Sequence, residues 1–438
     1  VRTVKISKRN RSFLRHIGTL MSAKAIAAAI ALLITPVIAR LFDPGDFGIA
    51  AIWVSSCTLL NHLSSLKYEV AIVIPANEDE ADHLYSLALR ILIAFVGIVA
   101  VVSVISAFLP LKTSSAAGAQ DWLLWLAPGV LLYGLVSIQE SWLSRRQKFS
   151  AIGVSMIAGT SFTGLSRITW GLLAGSSSTG LIVSQLIGLF SRLCVQFWRG
   201  GRKALTSAST VSKGALRKAA HDYRDFPKLN APASLVSSGA KNMPVLLLGF
   251  LYGPEPAGFY AMAMRLAQSP LRLVTISMHR VVYQRLAEIA SNNRPLMRPY
   301  WMLCGGLFLL GVIPTIVIVL FGPQLLELLL GPKWPEAGRY LQLVAPWLLT
   351  ILVSVPVSPT LNVIRRQELW LQLQTASFAL RLLVFVGAYM FGASALMAVG
   401  AFVTAVVCIN SCYIVYIGWF LRSRGLPAEV EERDSADS

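Results

Sequence analysis

Charge is scarce in this chain. Asp, Glu, Lys and Arg make up only 14% of its 438 residues, while 55% are hydrophobic. That balance excludes an ordinary soluble protein, in which about a quarter of residues are charged. Acids are the scarcer sign, 21 Asp and Glu against 39 Lys and Arg. Histidine occurs five times, as does cysteine (Cys57, Cys194, Cys304, Cys408 and Cys412), and no cysteine stands at metal-ligand spacing from a histidine. No metal or other cofactor is therefore expected, and the cysteines read as small buried hydrophobes. The GxxxxGK phosphate loop, HExxH and GxSxG are all missing. Without them the chain has no engine for ATP and no hydrolytic centre of those types, and no catalytic residue is assigned.

What the chain has instead is long apolar runs. A bilayer core about 30 Å thick takes about 20 apolar residues per helix. Twelve stretches qualify, at roughly 17–41, 47–66, 84–109, 121–143, 149–175, 177–198, 231–252, 256–281, 300–321, 337–358, 370–391 and 394–421. Each is too long for a barrel strand of roughly 10 alternating residues, so the expected fold is an all-α integral membrane protein of twelve transmembrane helices. The first stretch is also too long for a cleaved signal peptide and reads as a span that stays in the membrane. Between the first two, "FDPGD" predicts a tight turn, with Pro44 and Gly45 as turn residues and Asp43 and Asp46 in water.

The net charge of +18 suggests nucleic acid until its distribution is followed. With a cytoplasmic N-terminus, almost all loop cations fall on the cytoplasmic side, from Arg2 to Arg15, at Lys67, at Arg145 to Lys148, and from Arg199 to Lys228. Further along they include Arg285, Arg294 and Arg298, then Arg365 and Arg366. The opposite face keeps Lys112, Lys333 and Arg339. This is a positive-inside pattern. It predicts both termini in the cytoplasm and contact with anionic membrane lipids, and it removes the case for a nucleic-acid partner.

The chain also repeats itself. "LFDPGDFG" at 41–48 is echoed by "LYGPEPAG" at 251–258, pairing Pro44 with Pro254 and Gly48 with Gly258. Ala-Pro, Leu-Val-Ser and Arg-Arg-Gln recur in that order from Leu126 and from Val344. Equivalent motifs in the turns after spans one and seven, and in spans four and ten, predict two pseudo-symmetric six-helix bundles of the same orientation. The expected division is an N-terminal bundle at 1–198, a basic cytoplasmic linker at 199–230, a C-terminal bundle at 231–421 and an acidic disordered tail at 422–438. Within the linker, "VSKGALRKAAHDYRDF" predicts a short surface helix. Two such bundles predict a substrate path at their interface, and prolines inside the spans are candidates for hinges or static kinks.

Some cations fall inside the apolar runs. Arg40, Arg90 and Arg192 are near span ends and can snorkel to the interface. Lys24, Arg167, Lys241, Arg265, Arg272 and Arg381 lie deeper. A lone cation at mid-membrane costs about 2.5–3.5 kcal/mol on insertion scales, so such residues face a cavity or a counter-ion. Glu140 is the clearest acid within a span, so internal pairing cannot serve all six, and an anionic ligand is the remaining partner. Lys241 is set among Ser237, Ser238, Gly239 and Asn242, which suits a cavity wall. His62 aligns with Arg272 when the two turns are matched; it reads as a buried histidine or as a cavity residue.

The stretches "ARLFDPGDFGIAAIW", "LKYEVAIVIP" at 66–75, "YRDFPKLNAPASL" at 223–235 and "FLYGPEPAGFYAMAMRLAQSPL" at 250–271 resemble the Wzx-type lipopolysaccharide and polysaccharide flippases. These form the oligosaccharide branch of the multidrug/oligosaccharidyl-lipid/polysaccharide exporter superfamily. The resemblance implies a multi-pass protein of the bacterial inner membrane that turns an undecaprenyl-pyrophosphate-linked oligosaccharide from the cytoplasmic to the periplasmic leaflet. The product would feed O-antigen, capsule or exopolysaccharide assembly, with a polysaccharide polymerase and a chain-length regulator as partners. It also implies cavity arginines on spans one and eight; here span one offers Lys24 instead, and span eight offers Arg265 and Arg272. Lipid II flippases of the superfamily carry two further C-terminal helices, which sets this chain apart from that branch. Two other readings stay open. A multidrug or cation exporter of the same fold would need acids inside its spans. A membrane glycosyltransferase or polysaccharide polymerase would need a large outer loop, whereas the longest here, about 110–120 and 322–336, hold few chemically useful residues.

Overall fold

The computed structural model describes residues 8–108, 119–201, 211–292, 294–364 and 367–423. Among them every regular element is helical. In chain order the helices are α1 (Lys8–Leu41), α2 (Pro44–Ser64), α3 (Tyr68–Ala71), α4 (Glu78–Phe108), α5 (Ala119–Leu124), α6 (Leu126–Arg145), α7 (Phe149–Leu173) and α8 (Ser178–Gln196). They continue as α9 (Lys213–Asp222), α10 (Ala231–Leu251), α11 (Pro254–Ser291), α12 (Met297–Leu330), α13 (Pro335–Val353), α14 (Val357–Val363), α15 (Gln367–Met390) and α16 (Ala395–Ser423). Wide single turns, Phe197–Gly201 and Phe226–Asn230, follow α8 and precede α10. The acidic tail beyond residue 423 lies outside the described residues, as do Arg365 and Arg366.

Ten helices among the described residues are long and apolar enough to cross a membrane. The two remaining expected spans are helices as well. The 38-residue α11 carries Arg265, Arg272, Arg280 and Arg285, which dilute its apolar character. In α15 the apolar part is the shorter stretch Thr375–Met390. Each of the twelve expected spans is thus helical, span four falling on α5 and α6 and span ten on α13 and α14, and the chain is a multi-pass membrane protein.

The turn after the first span is tighter than the sequence suggested. Pro44 and Gly45 are not turn residues; they form the first turn of α2, with Asp43 as its N-cap. A proline has the φ that the first helical position needs and lacks only a donor that would be orphaned there anyway. Nor do the two aspartates simply face water. Ser176 Oγ accepts from the Asp43 backbone N–H (2.8 Å) and donates to Asp46 Oδ2 (2.5 Å), tying this turn to the one after α7.

By density of internal contacts the chain divides into two units, residues 1–258 and 259–438. In the first unit α1 packs on α7, α7 on α8, α4 on α6, and α2 on α10. Its core centres on Tyr68, Ile72, Leu84, Tyr85, Leu92, Ile138 and Trp142. Tyr85 meets Trp142 edge-on at 5.4 Å, and its hydroxyl donates to Gln139 at 3.0 Å. The paired motifs at 44–48 and 254–258 meet here. A Cβ on Gly48 would collide with the Pro254 carbonyl, and one on Gly258 with the Pro44 carbonyl. Only glycine permits that reciprocal approach of two backbones. In the second unit α12 and α13 pack side by side, with α13 and α15 against α16. Tyr300 is fully buried there and its hydroxyl donates to the Ile414 carbonyl at 2.9 Å.

The repeated spans four and ten differ in one respect. From the repeated motif onward span four is one unbroken helix, α6, from Leu126 to Arg145, its junction with α5 at Trp125 lying ahead of the motif. Span ten breaks after Val353 and resumes at Val357, with Pro356 as the cap between them. Two prolines, Pro356 and Pro359, stand in the second copy where the first has none; a proline supplies no backbone donor to the preceding turn.

Candidate functional site

The last two turns of α2 and one face of α10 flank an open cavity of about 510 Å³ within the first unit. On α2 the lining is Thr58 and His62, four residues apart. On α10 it is Ser234, Ser237, Ser238, Lys241 and Asn242, with Asn230 ahead of the helix. Spacings of three and four place these side chains on one helical face. Small hydroxyl residues leave the room, and the volume suits a small-molecule headgroup.

The floor comes from an abrupt change of direction. Beyond the Ser65 cap of α2, Leu66 (φ 50°) and Lys67 (φ 66°) both adopt left-handed backbone. Gln147 is the remaining non-glycine residue at positive φ among the described residues. Such a conformation costs about 1–3 kcal/mol per residue and persists where the surroundings enforce it. Here the enforcing contact is Glu69, which is buried and accepts from Ser65 Oγ (2.5 Å) and from Lys67 Nζ (3.3 Å). The chain is thereby folded back so that Lys67 and Val70 line the cavity.

Electrostatically the site is one-sided. Lys67 and Lys241 line it, His62 stands near both, and no lining residue is acidic. Glu69, at the edge, is already engaged. His62 Nδ1 is buried and makes no hydrogen bond among the described residues. Asn242 Nδ2 donates to the Ser238 carbonyl (2.9 Å) and to its Oγ (3.2 Å), which fixes the amide and leaves its oxygen to accept. Two ammonium groups, an imidazole and several hydroxyls can hold a multiply charged oxyanion such as a phosphate ester.

Of the six deep cations expected from the sequence, Lys241 lines this cavity. Lys24 is exposed on α1. Arg167 is buried; its Nη2 donates to Gln185 Oε1 (3.1 Å), and Gln185 Nε2 donates to Tyr133 Oη (3.3 Å). The other three belong to the second unit. Arg265 is half-buried and Arg272 exposed on α11. Arg381 is half-buried on α15, within electrostatic reach of Tyr260 and Tyr413. Arg192, expected to snorkel, forms an ion pair with Glu140, which also accepts from Gln196 at 3.3 Å. Sequence reasoning counted Lys67 as a loop charge and so missed it. The only signal was its place five residues beyond His62, and that becomes meaningful once the left-handed turn is known.

Residues 37–339 match the model of a family described as polysaccharide biosynthesis protein. No curated protein sequence matches the chain. Among solved structures, the chain is similar to the lipid II flippase MurJ in an inward closed conformation, with a TM-score of 0.69 and 13% identity over 91% of this chain and 86% of that one. It is also similar to an inward-facing multidrug resistance MATE family transporter (TM-score 0.60, 15% identity, 94% and 95% covered). A MOP superfamily transporter from Pyrococcus furiosus aligns over 93% and 95% of the two chains (TM-score 0.52, 14% identity). At these identities the likeness is one of fold.

Proposed function

The chain belongs to the polysaccharide biosynthesis protein family, and we propose that this transporter, rather than enzyme, is a flippase for a lipid-linked oligosaccharide. Its cargo is an oligosaccharide on undecaprenyl pyrophosphate, turned from the cytoplasmic to the periplasmic leaflet of the bacterial inner membrane for O-antigen, capsule or exopolysaccharide assembly. The observation that carries this reading is the cavity charge: Lys67, Lys241 and His62 line it, and no acid does. A pyrophosphate is a multiply anionic head that must leave water. Fixed cations in a low-dielectric wall replace part of its hydration. A cavity for cationic drugs would need the opposite sign.

In this mechanism the head is captured at Lys67 and Lys241. Capture sets the phosphate in competition with Glu69 for the Lys67 ammonium, which couples occupancy to the strained turn at Leu66 and Lys67. Arg265, Arg272 and Arg381 serve the same head at other stages, as the two six-helix bundles alternate the exposure of the path to the two sides. The test is complementation of a strain lacking the gene. Wild-type protein restores surface polysaccharide, and Lys67→Ala/Lys241→Ala, inserted at normal level, does not. Full restoration by the double variant, or export of cationic dyes in place of glycan, would overturn the reading.

A further inference from the structure

A second cationic cluster lies outside the cavity, on the flank of the first unit. Helix α9 docks along the first turns of α4 through Leu216 and Ala219, which are buried; Ala219 joins the core cluster with Leu84, Tyr85 and Ala88. Both ends of the contact are pinned. Tyr223 Oη, just past α9, donates to Glu80 at 3.1 Å; burial, then this carboxylate, raises its hydroxyl pKa. Arg90 Nη2 donates to the carbonyl of Val211, just ahead of α9, at 3.4 Å. Helix α9 therefore runs antiparallel to α4, and its first turn is level with Arg90, about 15 Å along α4 from Glu80 at 1.5 Å per residue.

The apolar side of α9 is thus used up against protein, and what it turns outward is basic. Lys213, Arg217 and Lys218 are exposed, as is Arg90, and none of the four enters an ion pair among the described residues. Of the acids near α9, Glu80 accepts from Tyr223 Oη, and Asp222, at the far end, lies 3.6 Å from His221. Beyond Arg90 the same face of α4 becomes an exposed apolar stripe. Ile93 is 58% exposed, Ile98 62%, Val101 58% and Ile105 53%. At 100° per residue these fall within about 80° of Arg90. Gly97 is in the middle of the stripe, and a Cβ there would meet nothing within 4 Å, so the face is furrowed.

The geometry points to a binding site for an anionic phospholipid of the surrounding membrane, its acyl chains along the α4 stripe and its phosphate held by Arg90, Lys213 and Arg217. A free anion has no use for the stripe, and an uncharged lipid has none for the cations. The cluster faces outward with no walls for a sugar, which separates it from the cavity that serves a translocated head. A lipid seated here joins α9 to α4 from outside, complementing the Tyr223 and Arg90 hydrogen bonds, and holds the basic linker against the bundle. Cations at a membrane surface attract anionic headgroups in this way.

Native mass spectrometry of the full chain, released from micelles holding equal phosphatidylglycerol and phosphatidylcholine, tests the assignment. Wild-type protein retains phosphatidylglycerol preferentially. Arg90→Gln/Lys213→Gln/Arg217→Gln lowers that retention about tenfold or more, whereas Arg90→Lys/Arg217→Lys keeps most of it. Thermal unfolding in detergent verifies that the triple variant is folded; if it is not, Lys213→Gln alone, at an exposed site, lowers retention about threefold. Four results would each overturn the site: no lipid preference in wild type; equal retention by the folded variants; an equal loss in the control Arg224→Gln/Lys228→Gln, which marks diffuse charge; or displacement by equimolar short-chain polyprenyl pyrophosphate through the same three residues, which marks a cargo site. The outcome is independent of complementation by the cavity variants.

Discussion

The deep cations of the two units live differently. In the first unit Arg167 is held by Gln185, Arg192 by Glu140 and Lys67 by Glu69. In the second unit the Arg265 guanidinium makes no hydrogen bond or ion pair among the described residues. Arg381 lies within electrostatic reach of the Tyr260 and Tyr413 hydroxyls and enters no ion pair among the described residues. A cation satisfied by its own chain stabilises a packing arrangement. One left without a partner inside a membrane costs several kcal/mol unless water or a ligand completes it. Position in a span therefore does not separate the two groups; the presence of an internal partner does, and Lys67, whose partner Glu69 stands at the edge of the cavity it lines, belongs to both. Lys241 crosses the division, being a first-unit cation that faces open space.

The largest expected effect tests the unpartnered side. Arg265→Glu or Lys241→Glu abolishes surface polysaccharide in a complemented deletion strain with normal membrane levels of protein, because the substitution repels phosphate. Arg265→Ala gives at least a tenfold loss, and Arg265→Lys partial function, since charge remains but the two-pronged geometry goes. Wild-type glycan from both reversal variants would break the comparison. Next comes the partnered side. Arg167→Ala leaves the half-buried Gln185 Oε1 without its donor and costs about 1 kcal/mol, read as a lower thermal midpoint in detergent, while the folded protein still exports glycan. Loss of export at unchanged stability would move Arg167 into the functional group.

A smaller effect is expected at the Lys67 pair. Glu69→Gln keeps a hydrogen-bonding side chain for Ser65 but frees the ammonium, so apparent affinity of purified protein for inorganic pyrophosphate rises about threefold to fivefold, as expected from removing a competing charge worth about 1 kcal/mol. Weaker binding would mean that Glu69 positions Lys67 rather than restrains it. The smallest effect concerns residues 427–438, an acidic segment with almost no apolar side chains to bury. Their deletion leaves surface polysaccharide unchanged, and any large loss at normal protein level would assign the segment a role.

The helical spans were legible because hydrophobic runs of membrane length admit few other structures. Gly48 and Gly258 were legible as a repeat, though not as a contact. The cavity was half legible. Lys241 stood out through its serine and asparagine neighbours, yet Lys67 was hidden because the backbone reversal at Leu66 and Lys67 carries no glycine or asparagine to announce it. Arg167 was ambiguous because its partner, Gln185, is on the next helix, where no local spacing reveals it. Pro44 was misread because proline serves both turns and first helical positions, and only the structure distinguishes them.

The reciprocal crossing of Gly48 and Gly258 has the form of a self-complementary homodimer contact carried within one polypeptide. In a true homodimer a substitution at such a point strikes both partners at once. Here each side mutates alone, so the copies are free to drift everywhere except where they touch. A bulkier residue on either side meets the opposite carbonyl, and enlarging both makes the clash worse, so neither copy can compensate for the other. The crossing therefore behaves as a fixed point of divergence, the place where two repeats that have otherwise parted in sequence still have to agree.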